Sequence, residues 1–203
     1  MSGTFPTTVN FSTLQFKDNR PTLLNQTLSG KKQVRQIGAQ YFSFSVQLPP
    51  LNQEDAQTYF AFLQKQNGSF EDFLITPPLD NLGAAKNNAN VKVVGSQVVG
   101  DSQIELDGFT ANQTNAFKAG DLIKFANHSK VYMIRSNVDA DGSGALDALI
   151  SPPLIATLAD NEVVTCNKPP FTVYLESDEL VYSTNSSGFY SISFDVREVI
   201  PNA

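Results

Sequence analysis

The chain has 203 residues with 20 Asp+Glu against 14 Lys+Arg, a net charge of -6, 41% hydrophobic residues, one His, one Cys and no Trp. That length suits one large domain or two small ones, the acidic balance argues against sequence-specific nucleic-acid binding, and the lone Cys166 excludes an intramolecular disulfide or a cysteine zinc cluster. No apolar run approaches the ~18 residues of a bilayer span and the first residues lack the basic and apolar stretches of a signal peptide, which predicts no membrane insertion and no export by the usual route.

In chain order, residues 41–48 (YFSFSVQL) alternate apolar and polar side chains over a full strand, placing Phe42, Phe44, Val46 and Leu48 on one face. Pro49 and Pro50 stop that strand. Asn52 then reads as a helix N-cap, with Glu54 and Asp55 in the first turn where the helix dipole favours negative charge. Ala56, Tyr59, Phe60 and Leu63 fall at i, i+3, i+4 and i+7, the apolar stripe of a helix packed on a sheet, and Asn67-Gly68 supplies its stop. Phe70, Phe73 and Ile75 suggest a return to extended chain. The middle reads as short strands near 90–94, 103–106, 122–125, 131–134, 148–150 and 162–166, with no helical period, as in a small β-barrel or sandwich. After strands at 171–175 and 180–182 and a turn at 185–188, Tyr190, Ile192, Phe194 and Val196 alternate with Ser191, Ser193, Asp195 and Arg197, the pattern of a sheet covered on one side.

Aromatic residues divide the chain. Residues 1–80 hold 11 Phe+Tyr and residues 167–203 hold 6, whereas residues 81–166 hold 4. Paired prolines, Pro77-Pro78 and Pro169-Pro170, punctuate both transitions, and proline suits strand ends and linkers. The expected organisation is a discontinuous domain, 1–80 plus 167–203, carrying an inserted β domain at 81–166. The alternative is one continuous β domain. Either way the fold class is mainly β, with a sandwich or split-barrel core and one flanking helix.

Catalysis finds little support. A Ser or Cys nucleophile would need its histidine base at His128, which sits in a turn-like segment and reads more simply as a solvated turn residue. Carboxylate pairs remain open, because two acids can meet from anywhere in a fold, but nothing points to them. Phosphate-cradling glycine motifs are missing, so no cofactor is expected and the chain reads as no enzyme. Asp139-Ala140-Asp141-Gly142-Ser143-Gly144 matches the first half of a calcium loop, but position twelve is Ile150 rather than a bidentate Glu. Turn chemistry is the preferred reading, with a weak Ca²⁺ site at Asp139, Asp141, Ser143 and Asp147 as the side reading. Lys31, Lys32 and Arg35 form a basic cluster that reads as a solvated edge or as a contact with an acidic neighbouring surface, such as the Glu176-Ser177-Asp178-Glu179 run of another copy.

The order of these features resembles the distal tail proteins of tailed bacteriophages. The resemblance rests on Leu14 and Phe16, the Ser29-Gly30-Lys31 turn, the strand at 42–48, Pro49-Pro50, the helix with Tyr59-Phe60-Ala61-Phe62-Leu63, Gly68-Ser69-Phe70, and Ile75-Thr76-Pro77-Pro78. Lys118-Ala119-Gly120-Asp121-Leu122-Ile123 and Ser151-Pro152-Pro153-Leu154 are similar to phrases in the inserted domains of that family. It implies a structural virion protein at the tail tip, assembled in the host cytoplasm: a subunit of a homo-oligomeric ring, generally hexameric, between the tail tube protein and the tip or baseplate hub proteins, with a peripheral insertion. Segment charge, balanced in 1–80 and -3 in each of the other two, is consistent with a lumen that does not hold DNA. Two alternatives stay open. One is a carbohydrate-binding or adhesion module touching host-surface glycan, disfavoured by the missing Trp and by Tyr132 as the one Tyr of 81–166. The other is a tail tube or tube-terminating subunit.

Overall fold

The computed structural model describes residues 1–200, so the last three residues of the expected 167–203 segment lie outside the described residues. The chain folds as two compact units: a split unit, Met1–Leu74 with Val173–Ile200, and a middle unit, Ile75–Thr172. The fold is mainly β, as the alternating patterns predict.

The first segment carries β1 (Thr13–Asn19), β2 (Thr22–Gln26), β3 (Lys32–Gln36), β4 (Tyr41–Gln47), helix α1 (Gln53–Gln64) and β5 (Phe73–Ile75). The last carries β12 (Phe171–Leu175), β13 (Tyr182–Thr184) and β14 (Tyr190–Glu198). One sheet takes the order β1-β4-β14-β12-β5, with β13 also paired to β14. Register follows the sequence pattern: Val46 sits opposite Phe194 and Phe44 opposite Val196, so the apolar halves of β4 and β14 share a face. Phe42, Phe44, Val46, Ile192, Phe194 and Val196 are all buried there.

Helix α1 begins where expected, with the Asn52 side-chain oxygen accepting from the Asp55 backbone N–H at 2.8 Å. It ends before Asn67 and Gly68, both at positive φ (53° and 67°), a conformation that cannot continue a helix. Ala56, Tyr59 and Leu63 are buried, and Phe5 lies among Tyr59, Phe62 and Phe194 with ring centroids 5.3–5.7 Å away. The Tyr59 hydroxyl meets Thr8 Oγ1 and accepts from the Val9 N–H, both at 2.8 Å, tying the N-terminal segment to the helix. Phe60 turns instead toward Tyr182, edge to face at 4.8 Å. Phe70 departs from the extended reading: it lies in the turn after the helix and is 81% exposed.

The middle unit holds a 3-10 turn at Ala84–Asn87 and β6 (Lys92–Val93), β7 (Gln103–Asp107), β8 (Leu122–Phe125), β9 (Val131–Ile134), β10 (Leu146–Ser151) and β11 (Val164–Thr165). Its sheet runs β11-β8-β9-β10-β7-β6, and its two ends meet: Lys92 bridges Val163, Val93 N–H donates to Glu162 and Val164 N–H donates to Val91, each bond 3.0 Å. The middle unit is therefore a small barrel. Alternation supplies its core, with Ile104 and Leu106 from β7 and Leu146, Ala148 and Ile150 from β10 pointing inward.

Two buried polar side chains brace the chain's passage into this barrel. Asn81 donates to the carbonyls of Leu122 and Cys166 and accepts from the Leu122 N–H. Asp121 accepts from the N–H groups of Leu82, Gly83 and Lys118 at 2.7–3.0 Å. Every bond is made to backbone, and those to Leu122, Cys166 and Gly83 satisfy buried backbone groups, which suits a structural role.

Candidate assembly interface

The basic cluster Lys31, Lys32 and Arg35 lies on a free-standing two-stranded ribbon, β2 with β3. Its register pairs Leu24 with Val34 on one face and Leu23 with Arg35 on the other. The three-residue loop Leu28-Ser29-Gly30 closes it. Gly30 takes φ 77° and donates to the Thr27 carbonyl, and the Thr27 N–H donates to Lys31. Every residue of both strands is exposed. Leu23, Leu24, Val34 and Ile37 each expose more than half of their surface and Leu28 all of it.

Such an arm is well bonded internally and covered on neither face. An isolated two-stranded hairpin is marginal in water, and clustered apolar residues on a surface mark a contact site. Residues 20–37 contain Arg20, Lys31, Lys32 and Arg35 and no acid, in a chain whose net charge is -6. Arg20 pairs with Asp18 at 3.0 Å, whereas among the described residues Lys31, Lys32 and Arg35 form no ion pair.

The same unit has a groove of about 260 Å³ between the 175–181 segment and β14, walled by Leu175, Leu180 and Val181 and bordered by Glu179 and Asp195. It shares Ser193, Phe194 and Asp195 with a second hollow of about 290 Å³ over the polar face of β1 and β4, where Gln15 and Ser45 lie in register with Asp195. Within the Glu176-Ser177-Asp178-Glu179 run, the Ser177 hydroxyl accepts from the Glu179 N–H at 3.1 Å, and of the three acids only Asp178 has its carboxylate engaged. Ser69 donates to it through both its N–H and its hydroxyl at 3.0 Å, and these bonds hold its carboxyl below the usual range. The side chains of Glu176, Glu179 and Asp195 take no hydrogen bond or ion pair among the described residues.

The calcium-like loop is built as a turn. Asp141 accepts from the Ser143 hydroxyl, the Ser143 N–H and the Ala145 N–H at 2.6–2.9 Å, bonds that lower its carboxyl pKa, the hydroxyl first. Gly144, at φ 80°, lets the chain pass where a Cβ would stand 2.3 Å from the Phe109 carbonyl. Asp139 accepts from the Asn115 N–H at 2.6 Å, and Asp147 lies on β10 opposite Glu105. Among the described residues no three His, Cys, Asp or Glu side chains gather as a metal cluster.

His128 is half-buried rather than fully solvated. It contacts Asn127 through Nδ1 and the Tyr132 hydroxyl through Nε2, and burial, reinforced by Lys124 and Lys130, lowers its pKa to about 4. Burial pushes the Cys166 thiol up to about 12, with Asp121 adding to the effect, which makes it a poor nucleophile. The four aromatic residues of 81–166, Phe109, Phe117, Phe125 and Tyr132, are all buried. A sugar would find no aromatic platform among the described residues of that segment.

Comparison with known proteins adds a likeness to this geometry. Residues 82–168 match the family described as the B domain of distal tail protein pb9. Over 198 residues the chain is 27% identical to distal tail protein pb9 of Escherichia phage T5, covering 94% of this chain and 92% of that protein. The resemblance to phage distal tail proteins thus holds along almost the whole chain and supports a structural role in a phage tail.

Proposed function

We propose that this chain is a subunit of a closed ring at the distal end of a phage tail, joining the tail tube to the tip or baseplate proteins. Residues 1–80 with 167–203 are the ring-forming hub, and residues 81–166 are a peripheral domain. The number of subunits that the resemblance implies is generally six. Its work is assembly rather than catalysis.

The observation that carries this reading is the exposed arm, β2 with β3. A cyclic ring is closed by heterologous contacts, so each subunit must present two different faces. An arm with uncovered leucines and valine is one such face, and each large aliphatic side chain buried on docking contributes about 1.5–3 kcal/mol. The middle unit offers less for this purpose: its sheet closes on itself and so leaves few unpaired edges.

Imaging of phage tails carrying a small tag on this chain tests the placement. Label confined to the tail tip, at a copy number matching one ring, is the expected result. Label repeating along the tube would favour a tube subunit and overturn the reading.

A further inference from the structure

We infer that the arm of one copy docks into the acidic groove of a second copy, with Lys31, Lys32 and Arg35 facing Glu179 and Asp195. This rests on the ring reading and names the two faces of its contact.

Three observations lead there. The arm's three cations lack ion pairs in their own chain, and so do the two carboxylates that line the groove, Glu179 and Asp195. Residues 176–195 hold Glu176, Asp178, Glu179 and Asp195 and no base, the counterpart of an arm segment that holds bases and no acid. The surfaces also match in apolar character, since Val181 is 60% exposed at the groove and Leu23, Leu24 and Val34 are uncovered on the arm.

A different hollow, of about 460 Å³ beside α1, is lined by Phe60, Tyr182 and Tyr190 with the amides of Gln53, Gln57 and Gln64. It offers no carboxylate to meet three cations. Complementary charge fixes register and suppresses wrong partners, so it selects the acidic groove. The occupant is a second copy because both halves of the match are encoded in this one chain.

Crosslinking of the full chain tests the pairing directly. Val34→Cys and Val181→Cys are made in separate preparations, mixed and oxidised, so that any mixed disulfide joins two copies. A mixture of Val34→Cys with Leu149→Cys, on an exposed position of β10, gives the background. Docking predicts mixed disulfide at roughly tenfold or more above background, because the bound arm raises the local thiol concentration. Lys31→Glu, Lys32→Glu and Arg35→Glu together should abolish that excess, and Glu179→Lys and Asp195→Lys in the partner should restore it. Linking at background, or an excess indifferent to charge reversal, overturns the pairing. The mass of the unmodified chain is read in parallel: a ring without the crosslink leaves the ring reading standing and removes only this contact.

Discussion

The middle unit and the split unit manage their sheet edges in opposite ways. The barrel joins β11 to β6, buries the four aromatic residues of 81–166 and braces its connections with Asn81 and Asp121. The split unit ends its sheet at β1, leaves Tyr182 and Phe189 about half exposed, and extends a ribbon whose every strand residue is exposed. The sealed unit is complete as a single copy. On the proposed ring reading the open unit is the one that meets neighbours, and assembly is expected to depend on it alone.

The largest effect should come from the arm. Replacing residues 22–36 with a short Gly-Ser turn should abolish self-association while leaving the thermal melt of the chain nearly unchanged, because those residues bury no side chain in the monomer. Light scattering and calorimetry on the same sample check both halves. Core truncations should do the reverse. Phe44→Ala in the split unit and Phe125→Ala in the barrel, both with buried rings, should each cost about 3–5 kcal/mol in denaturant unfolding.

Tyr59→Phe should be milder, at about 1–2 kcal/mol, since it keeps the ring and removes the hydroxyl that holds Thr8 and Val9. A pH series separates a smaller effect in the barrel. His128 titrates near 6.5 when unfolded and near 4 when folded, so the unfolded chain binds the extra proton between those values. Its contribution is complete above about pH 6.5 and is lost as pH falls toward 4, and His128→Gln should flatten stability against pH across that window. The smallest effect is expected from Asp141→Asn. Its lowered carboxyl pKa supports the loop above the unfolded value and ceases to do so in acid, so the variant should melt slightly lower at neutral pH and like the unmodified chain in acid.

Much of the covered structure was legible in the sequence because burial imposes a period. Phe42, Phe44 and Val46 alternate because one side of β4 meets the core, and Asn52 capped α1 because helix N–H groups need an acceptor. The arm was not legible as strand pairs. Leu23 and Leu24 are adjacent, neither face is buried, and no period is imposed, so only the cluster of bases without acids marked it. Phe70 misleads for the related reason that an aromatic residue signals core only when a neighbour in the same chain covers it. The groove between the 175–181 segment and β14 brings together residues far apart in pattern, and its unpaired carboxylates could be recognised only once Asp178 was seen to be engaged by Ser69.

The mass of the purified full chain across concentrations, by light scattering with imaging of any large species, tests the central claim most directly. The account predicts a closed ring near six subunits that disappears when residues 22–36 are removed. A ring that persists without the arm, or a strict monomer at high concentration, would contradict it.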